Sequence, residues 1–214
     1  MIRGDLSNRL IHLTRGASLQ DVVGNFLSIL RSGTLRGSNR NIRGGFNCIC
    51  FSEAPLGVLT QALAAPPQNG MRYAPFGVIV GKTWLFQQGG RPVIYQSNDE
   101  YETLMDVQKF RHVRYEPHRD VDYTWEREWR IQTDILRLDP RETTFVVPTR
   151  GWEEKFHREH IDQVATNSSI LQLSLDEPMP WHFVALEDLG VEGFDGYEVV
   201  DLECRTSRGG GVRT

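Results

Sequence analysis

The stretch Tyr123-Thr124-Trp125-Glu126-Arg127-Glu128-Trp129-Arg130-Ile131 interleaves charged and apolar side chains along its whole length, and its reading decides how the chain is put together. Side-chain direction repeats every second residue of a strand, so a strand here puts Glu126, Glu128 and Arg130 on one face. Trp125, Arg127, Trp129 and Ile131 take the other. Two carboxylates so arranged repel across roughly 7 Å, the two-residue strand repeat, and a sheet gains nothing structural from that. With both tryptophans read as core anchors behind them, the carboxylates look into a cleft. The plain alternative is a pair of solvated carboxylates with Arg127 and Arg130 as counter-ions.

Outward from that stretch, Leu10-Ile11-His12-Leu13-Thr14 reads as an opening strand with His12 and Thr14 on one face. Ser18 follows as an N-cap with Asp21 at the third helical position. Leu19, Val22, Val23, Phe26, Leu27 and Leu30 then recur at helical spacing up to Gly33. Residues 33–45, with Arg36, Arg40 and Arg43 among glycine, serine and asparagine, read as a mobile basic loop. Residues 46–53 form a buried strand that turns polar at Ser52 and Glu53, and Pro55 begins a short helix. A loop at residues 66–70, strands at 76–80 and 92–95, and a helix from 98 or 99 to about 110 come next. Residues 112–115 pair with the strand 123–133, a strand at 143–148 follows, and a helix from Gly151 runs to a polar break at residues 167–169. Residues 181–186 and 197–202 supply the last strands, and the glycine- and arginine-rich end, 207–214, reads as disordered. One early helix followed by many short strands favours an α+β fold, with residues 1–206 as a single domain.

Composition narrows the chemistry. A net charge of -4 argues against a general nucleic-acid or membrane binder, so any nucleic acid must be met by a local patch. Three cysteines form neither a paired framework nor a metal spacing, which fits a reducing cytoplasm. No run approaches the roughly 20 apolar residues of a membrane helix, and residues 1–18 do not read as an export signal. His157 and His160 are close enough on a helix to share an ion, yet no third ligand accompanies them, so no metal is expected. Ser52 lacks a nucleophile elbow, and Cys48 and Cys50 read as core residues.

His12-x-Thr14 on a first strand, Phe51-Ser52 at the end of a second and Glu126-x-Glu128 on a late strand together resemble the ADP-ribosyltransferase superfamily. Residues 8–148 also resemble bacterial abortive-infection proteins, some of them antitoxins. The first resemblance implies a split β-sheet core with peripheral helices, NAD as substrate in a cleft between two sheets, and transfer of ADP-ribose to a macromolecular acceptor, protein or nucleic acid, in phage defence or as a toxin. It implies that Glu128 grips a ribose hydroxyl and stabilises positive charge as nicotinamide departs. Glu126 would position the acceptor, and His12, supported by Thr14, would bind either ribose. Phe51, Tyr95 or Tyr123 would stack on nicotinamide, and Arg15 or the loop from Arg36 to Arg43 would meet the pyrophosphate. The triad is mixed: the His-Tyr-Glu subfamily has tyrosine where this chain has Ser52, and the Arg-Ser-Glu subfamily has arginine where it has His12. The second resemblance implies a cognate toxin or antitoxin partner and a non-catalytic binding module on the same fold.

Overall fold

The computed structural model describes residues 7–55, 73–171, 178–194 and 196–199. Among these residues, four α-helices surround a seven-stranded mixed sheet, an arrangement compatible with the expected α+β class. The helix begun by Pro55, the loop at 66–70, most of the expected last strand and the tail lie outside the described residues. Residues 197–199 carry no strand.

The first helix, α1 (Leu19–Ser32), forms for the reasons its sequence gives. Ser18 accepts from the Asp21 amide, the Asp21 carboxylate accepts from the Ser18 amide, and the chain leaves the helix at Gly33 with φ of 60°. Losing such an N-cap costs about 1 kcal/mol. Val22, Val23, Phe26, Leu27 and Leu30 are buried against the sheet. Phe26 is the hub, with ring centroids 5.5 Å from Phe76, 5.4 Å from Phe145 and 5.1 Å from Phe156. Removing a ring buried in this way costs about 3–5 kcal/mol.

The strands are β1 (Arg9–Leu13), β2 (Thr34–Arg36), β3 (Cys48–Ser52), β4 (Gly77–Gly81), β5 (Arg91–Pro92), β6 (Ile94–Gln96) and β7 (His112–Arg114). They continue with β8 (Glu128–Gln132), β9 (Ile135–Arg137), β10 (Thr143–Val147) and β11 (His182–Ala185). The large sheet has the order β11-β10-β4-β1-β3-β8-β5. Leu10, Ile49, Phe51, Val78, Val80, Trp129, Ile131, Phe145 and Val147 share the core with α1. Ile11, Leu13 and Val146 belong to a second cluster with Ala54, Leu186 and Phe194, on the other face. Short helices Lys82–Gln87 (α2) and Asp106–Lys109 (α3) precede the long α4 (Arg150–Leu171), whose Trp152 and Phe156 enter the main core.

Several expectations need correction. Residues 123–131 are not one strand: Thr124–Glu126 is a turn of 3₁₀ helix, Arg127 is left-handed at φ 44°, and the strand begins at Glu128. The alternation fits a strand whatever the backbone does, and Arg127, not glycine, gives no sign of a left-handed turn. Trp125 is consequently 38% exposed instead of anchored, whereas Trp129 is buried as expected. Residues 112–114 pair in parallel with β6 and not with β8, which lies between β3 and β5. The helix expected from 98 to 110 is a 3₁₀ stretch at Asp99–Thr103 followed by α3. The basic loop is tied down: residues 34–36 pair with β9, and the Arg43 guanidinium lies 4.0 Å from the Tyr101 ring centroid and donates to Asn98. No break occurs at 167–169, where α4 continues to Leu171.

Candidate functional site

Three strands that carry the sequence-derived candidates are neighbours. β3 stands between β1 and β8, so His12, Ser52 and Glu128 come from adjacent strands. β3 and β8 pair over five residues, with Ser52 opposite Glu128 and Cys50 opposite Arg130. By contrast, β1 and β3 share only the pair Ile11 and Ser52. Beyond it the two strands separate, and His12 bridges the gap by bonding Nδ1 to the Cys50 carbonyl at 2.8 Å.

Paired residues share a face of a sheet. Ser52, Glu128, Cys50 and Arg130 therefore face the side of Ile11, while His12 belongs with Leu10 and Phe51 on the core side. The expected convergence of His12, Ser52 and Glu128 on one face is corrected accordingly. His12 is half-buried, and burial lowers its pKa, so its ring is neutral at pH 7. A carbonyl can only accept, so Nδ1 carries the proton and Nε2 keeps a lone pair. Thr14 is fully engaged, its hydroxyl donating to Phe76 O at 2.9 Å.

Glu128 is held by a guanidinium. Arg130 Nε lies 2.8 Å from one carboxylate oxygen and Nη2 lies 3.1 Å from the other. The side chains are 13% and 7% exposed, so this is a buried ion pair. Burial opposes the charge of Arg130, but the Glu128 carboxylate outweighs it and the net shift is upward. Arg130 also donates from Nη1 to the carbonyls of Phe110 (3.1 Å) and His112 (2.9 Å), which ties Glu128 to the turn before β7. The Cys50 thiol bonds to the same carboxylate, and burial followed by that negative charge pushes its pKa up. A thiol in this state is a donor and not a nucleophile.

Glu126 sits apart from Glu128, across the turn. Its carbonyl accepts the Ser52 hydroxyl at 2.6 Å, and Ser52 Oγ in turn accepts from the Ala54 amide, so Ser52 fixes the turn. Tyr73 Oη donates to the Glu126 carboxylate at 3.3 Å and accepts from Arg15 Nη2 at 2.7 Å. Arg15 also covers the Tyr73 ring, 4.4 Å from its centroid. Tyr95 Oη accepts from the Glu128 amide at 3.1 Å and donates to the Tyr123 carbonyl at 3.4 Å. Tyr123 is 39% exposed, whereas Phe51 is 2% exposed and cannot present its ring to a ligand.

The structure thus gathers Glu126, Glu128, Arg15, Tyr95 and Tyr123 around one turn and its strand, and leaves Phe51, Thr14 and Ser52 as structural contacts. Tyr73, from the segment before β4, is a participant that sequence reasoning missed, whereas Arg130, read from sequence as a counter-ion in the plain alternative, is the holder of Glu128. Arg130 had a signal, since a glutamate and an arginine two apart on a strand share a face. Among the described residues, no group of three His, Cys, Asp or Glu side chains could hold a metal ion, and no helix is long and apolar enough to cross a membrane. Comparisons with protein-family models, with curated proteins and with solved structures find no match for this chain.

Proposed function

We propose that the chain is an NAD-dependent ADP-ribosyltransferase that transfers ADP-ribose to a macromolecular acceptor, in bacterial defence or as a toxin. One observation carries the reading. The strands of His12, Ser52 and Glu128 are adjacent, and the sheet opens between β1 and β3 after a single residue pair. On the face of Ile11, Glu128 lies beside the turn of Glu126, which Tyr73 and Arg15 reach.

The chemistry follows from the donors and acceptors present. A carboxylate offers roughly four lone-pair sites. Arg130 takes two of those on Glu128 and Cys50 takes one, which leaves one to accept a ribose hydroxyl. The negative charge then stabilises the oxocarbenium-like centre as the bond to nicotinamide breaks and nicotinamide leaves neutral. The acceptor's nucleophile forms the new bond at the anomeric carbon, and its proton passes to Glu126. Incubation with NAD should release nicotinamide, and Glu128→Gln should abolish the release while near-UV circular dichroism stays native. Full activity in that variant would overturn the assignment.

A second reading is a non-catalytic binding module, such as the antitoxin of an abortive-infection pair. The observation in its favour is that His12, Ser52 and Glu128 all spend bonds inside the protein. It predicts no heat of NAD binding by calorimetry and a stable complex with the product of a neighbouring gene.

A further inference from the structure

Two arginines flank the outer strand of the sheet, and among the described residues neither is ion-paired to an acid. Arg91 lies in β5, the terminal strand, with its guanidinium 3.9 Å from the Phe86 ring centroid. Its Nη1 donates to the carbonyls of Phe86 (2.8 Å) and Gly90 (2.7 Å). Arg111, in the turn before β7, donates from Nε to the Pro92 carbonyl at 2.9 Å, and its own carbonyl accepts from the Ile94 amide at 2.8 Å. The two guanidiniums therefore flank the same short strand. Burial lowers the pKa of Arg111, and the charge of Arg91 lowers it further.

Some of the other arginines among the described residues are neutralised. Arg43, Arg114, Arg130, Arg141 and Arg150 each reach a carboxylate. Among the described residues, neither Arg91 nor Arg111 has a carboxylate at ion-pairing distance; their bonds go to main-chain carbonyls and an aromatic face. Carbonyls fix the two forks without cancelling their charge, and an arginine has five N–H donors. The terminal nitrogens of Arg111, and Nη2 of Arg91, are left over. Like charges held together in this way repel until an anion arrives. A tetrahedral phosphate matches the planar fork in charge and in bidentate geometry.

We propose that Arg91 and Arg111 form a phosphate-binding clamp, filled by a free nucleotide or by the backbone of a polynucleotide. Arg91 stands opposite Arg130 in the pairing of β5 with β8, so the bound phosphate lies outward from Glu128 along the same sheet. The proposal does not depend on the transferase reading, because its assay contains no NAD.

The test uses the full chain, Arg111→Gln, and Arg91→Gln with Arg111→Gln. Arg111→Gln leaves the stack of Arg91 on Phe86 intact, so it guards against a folding defect in the double variant. Fluorescein-labelled single-stranded oligonucleotides are titrated by anisotropy over a range of salt, and melting is followed with AMP or inorganic phosphate. With a polynucleotide, the wild type binds the oligonucleotide, the double variant loses about tenfold or more, and the salt slope falls by roughly 0.7 per arginine. With a free nucleotide, AMP raises the melting temperature of the wild type but not of Arg111→Gln, and the oligonucleotide does not bind. Equal affinity in wild type and both clamp variants would refute the clamp, as would a wild type that responds to none of the three probes.

Discussion

Arg130 holds three separate things at once: the Glu128 carboxylate and the carbonyls of Phe110 and His112. Breaking a buried pair from one side leaves the other charge without a partner or water, which costs more than the pair itself gains. Arg130→Met is therefore expected to lose roughly 3–5 kcal/mol of stability. Arg130→Met combined with Glu128→Leu removes the stranded carboxylate and should recover part of that loss. Urea unfolding of both single variants and the double variant measures the coupling. Additive losses would mean that the pair is a surface-like contact and that Glu128 is held in place by something else. Arg127 matters at the same scale, because its left-handed backbone turns Glu126 away from the face that Glu128 occupies.

At the scale of elements, the segment from β6 to residue 121 is organised by another buried carboxylate. Glu116 accepts from the Asn98 amide at 3.1 Å and from Arg114 at 2.6 Å, with Arg119 at 3.4 Å. The hydrogen bond from Arg114, then that from the Asn98 amide, pushes its pKa down to about 2. A carboxylate with a depressed folded pKa stabilises above its unfolded pKa and loses that contribution as pH falls. The stability advantage of wild type over Glu116→Gln should therefore be full at pH 7, shrink below about 4.5 and vanish near pH 2. A difference in unfolding free energy that stays constant from pH 7 to pH 3 would contradict it. The same segment marks where sequence stops being informative. α1 was legible because a capping box, helical spacing and a closing glycine agree, and β1, β3, β4 and β10 because short apolar runs leave few alternatives. Pairing of β6 with β7 was not legible, since partner choice depends on contacts far from either strand. The turn at residues 124–127 was missed because its alternation mimics a strand, and with it went the separation of Glu126 from Glu128. Glu128 itself lies on a strand as expected, because the sequence from Glu128 onward keeps the alternation, while its pairing with the strand of Ser52 was not legible.

At the scale of the described fold, the seven-stranded sheet is joined by a single residue pair at one place, between β1 and β3. β11-β10-β4-β1 lies on one side and β3-β8-β5 on the other, with Ile11 and Ser52 the one paired position between them. Side chains replace the missing main-chain bonds. His12 reaches Cys50 O, Tyr73 reaches Glu126, and Lys82, just after β4, pairs with Glu53, just after β3. Glu53 also accepts from Trp129 Nε1 at 2.9 Å, so its carboxylate fastens β3 and β8 to the end of β4. Side-chain fastenings open more readily than a continuous ladder, so this seam is where the sheet is expected to open first. Glu53→Gln keeps an acceptor for Trp129 but loses the charge that attracts Lys82. Lys82 is 28% exposed, so the global cost should be small, within about 1 kcal/mol. The local cost should not be: hydrogen exchange of β3 amides should quicken while those of β4 and β10 keep their protection. Equal acceleration on both sides would show the two halves to be one cooperative unit, and unchanged exchange in β3 would show that Lys82 and Glu53 do not hold the seam.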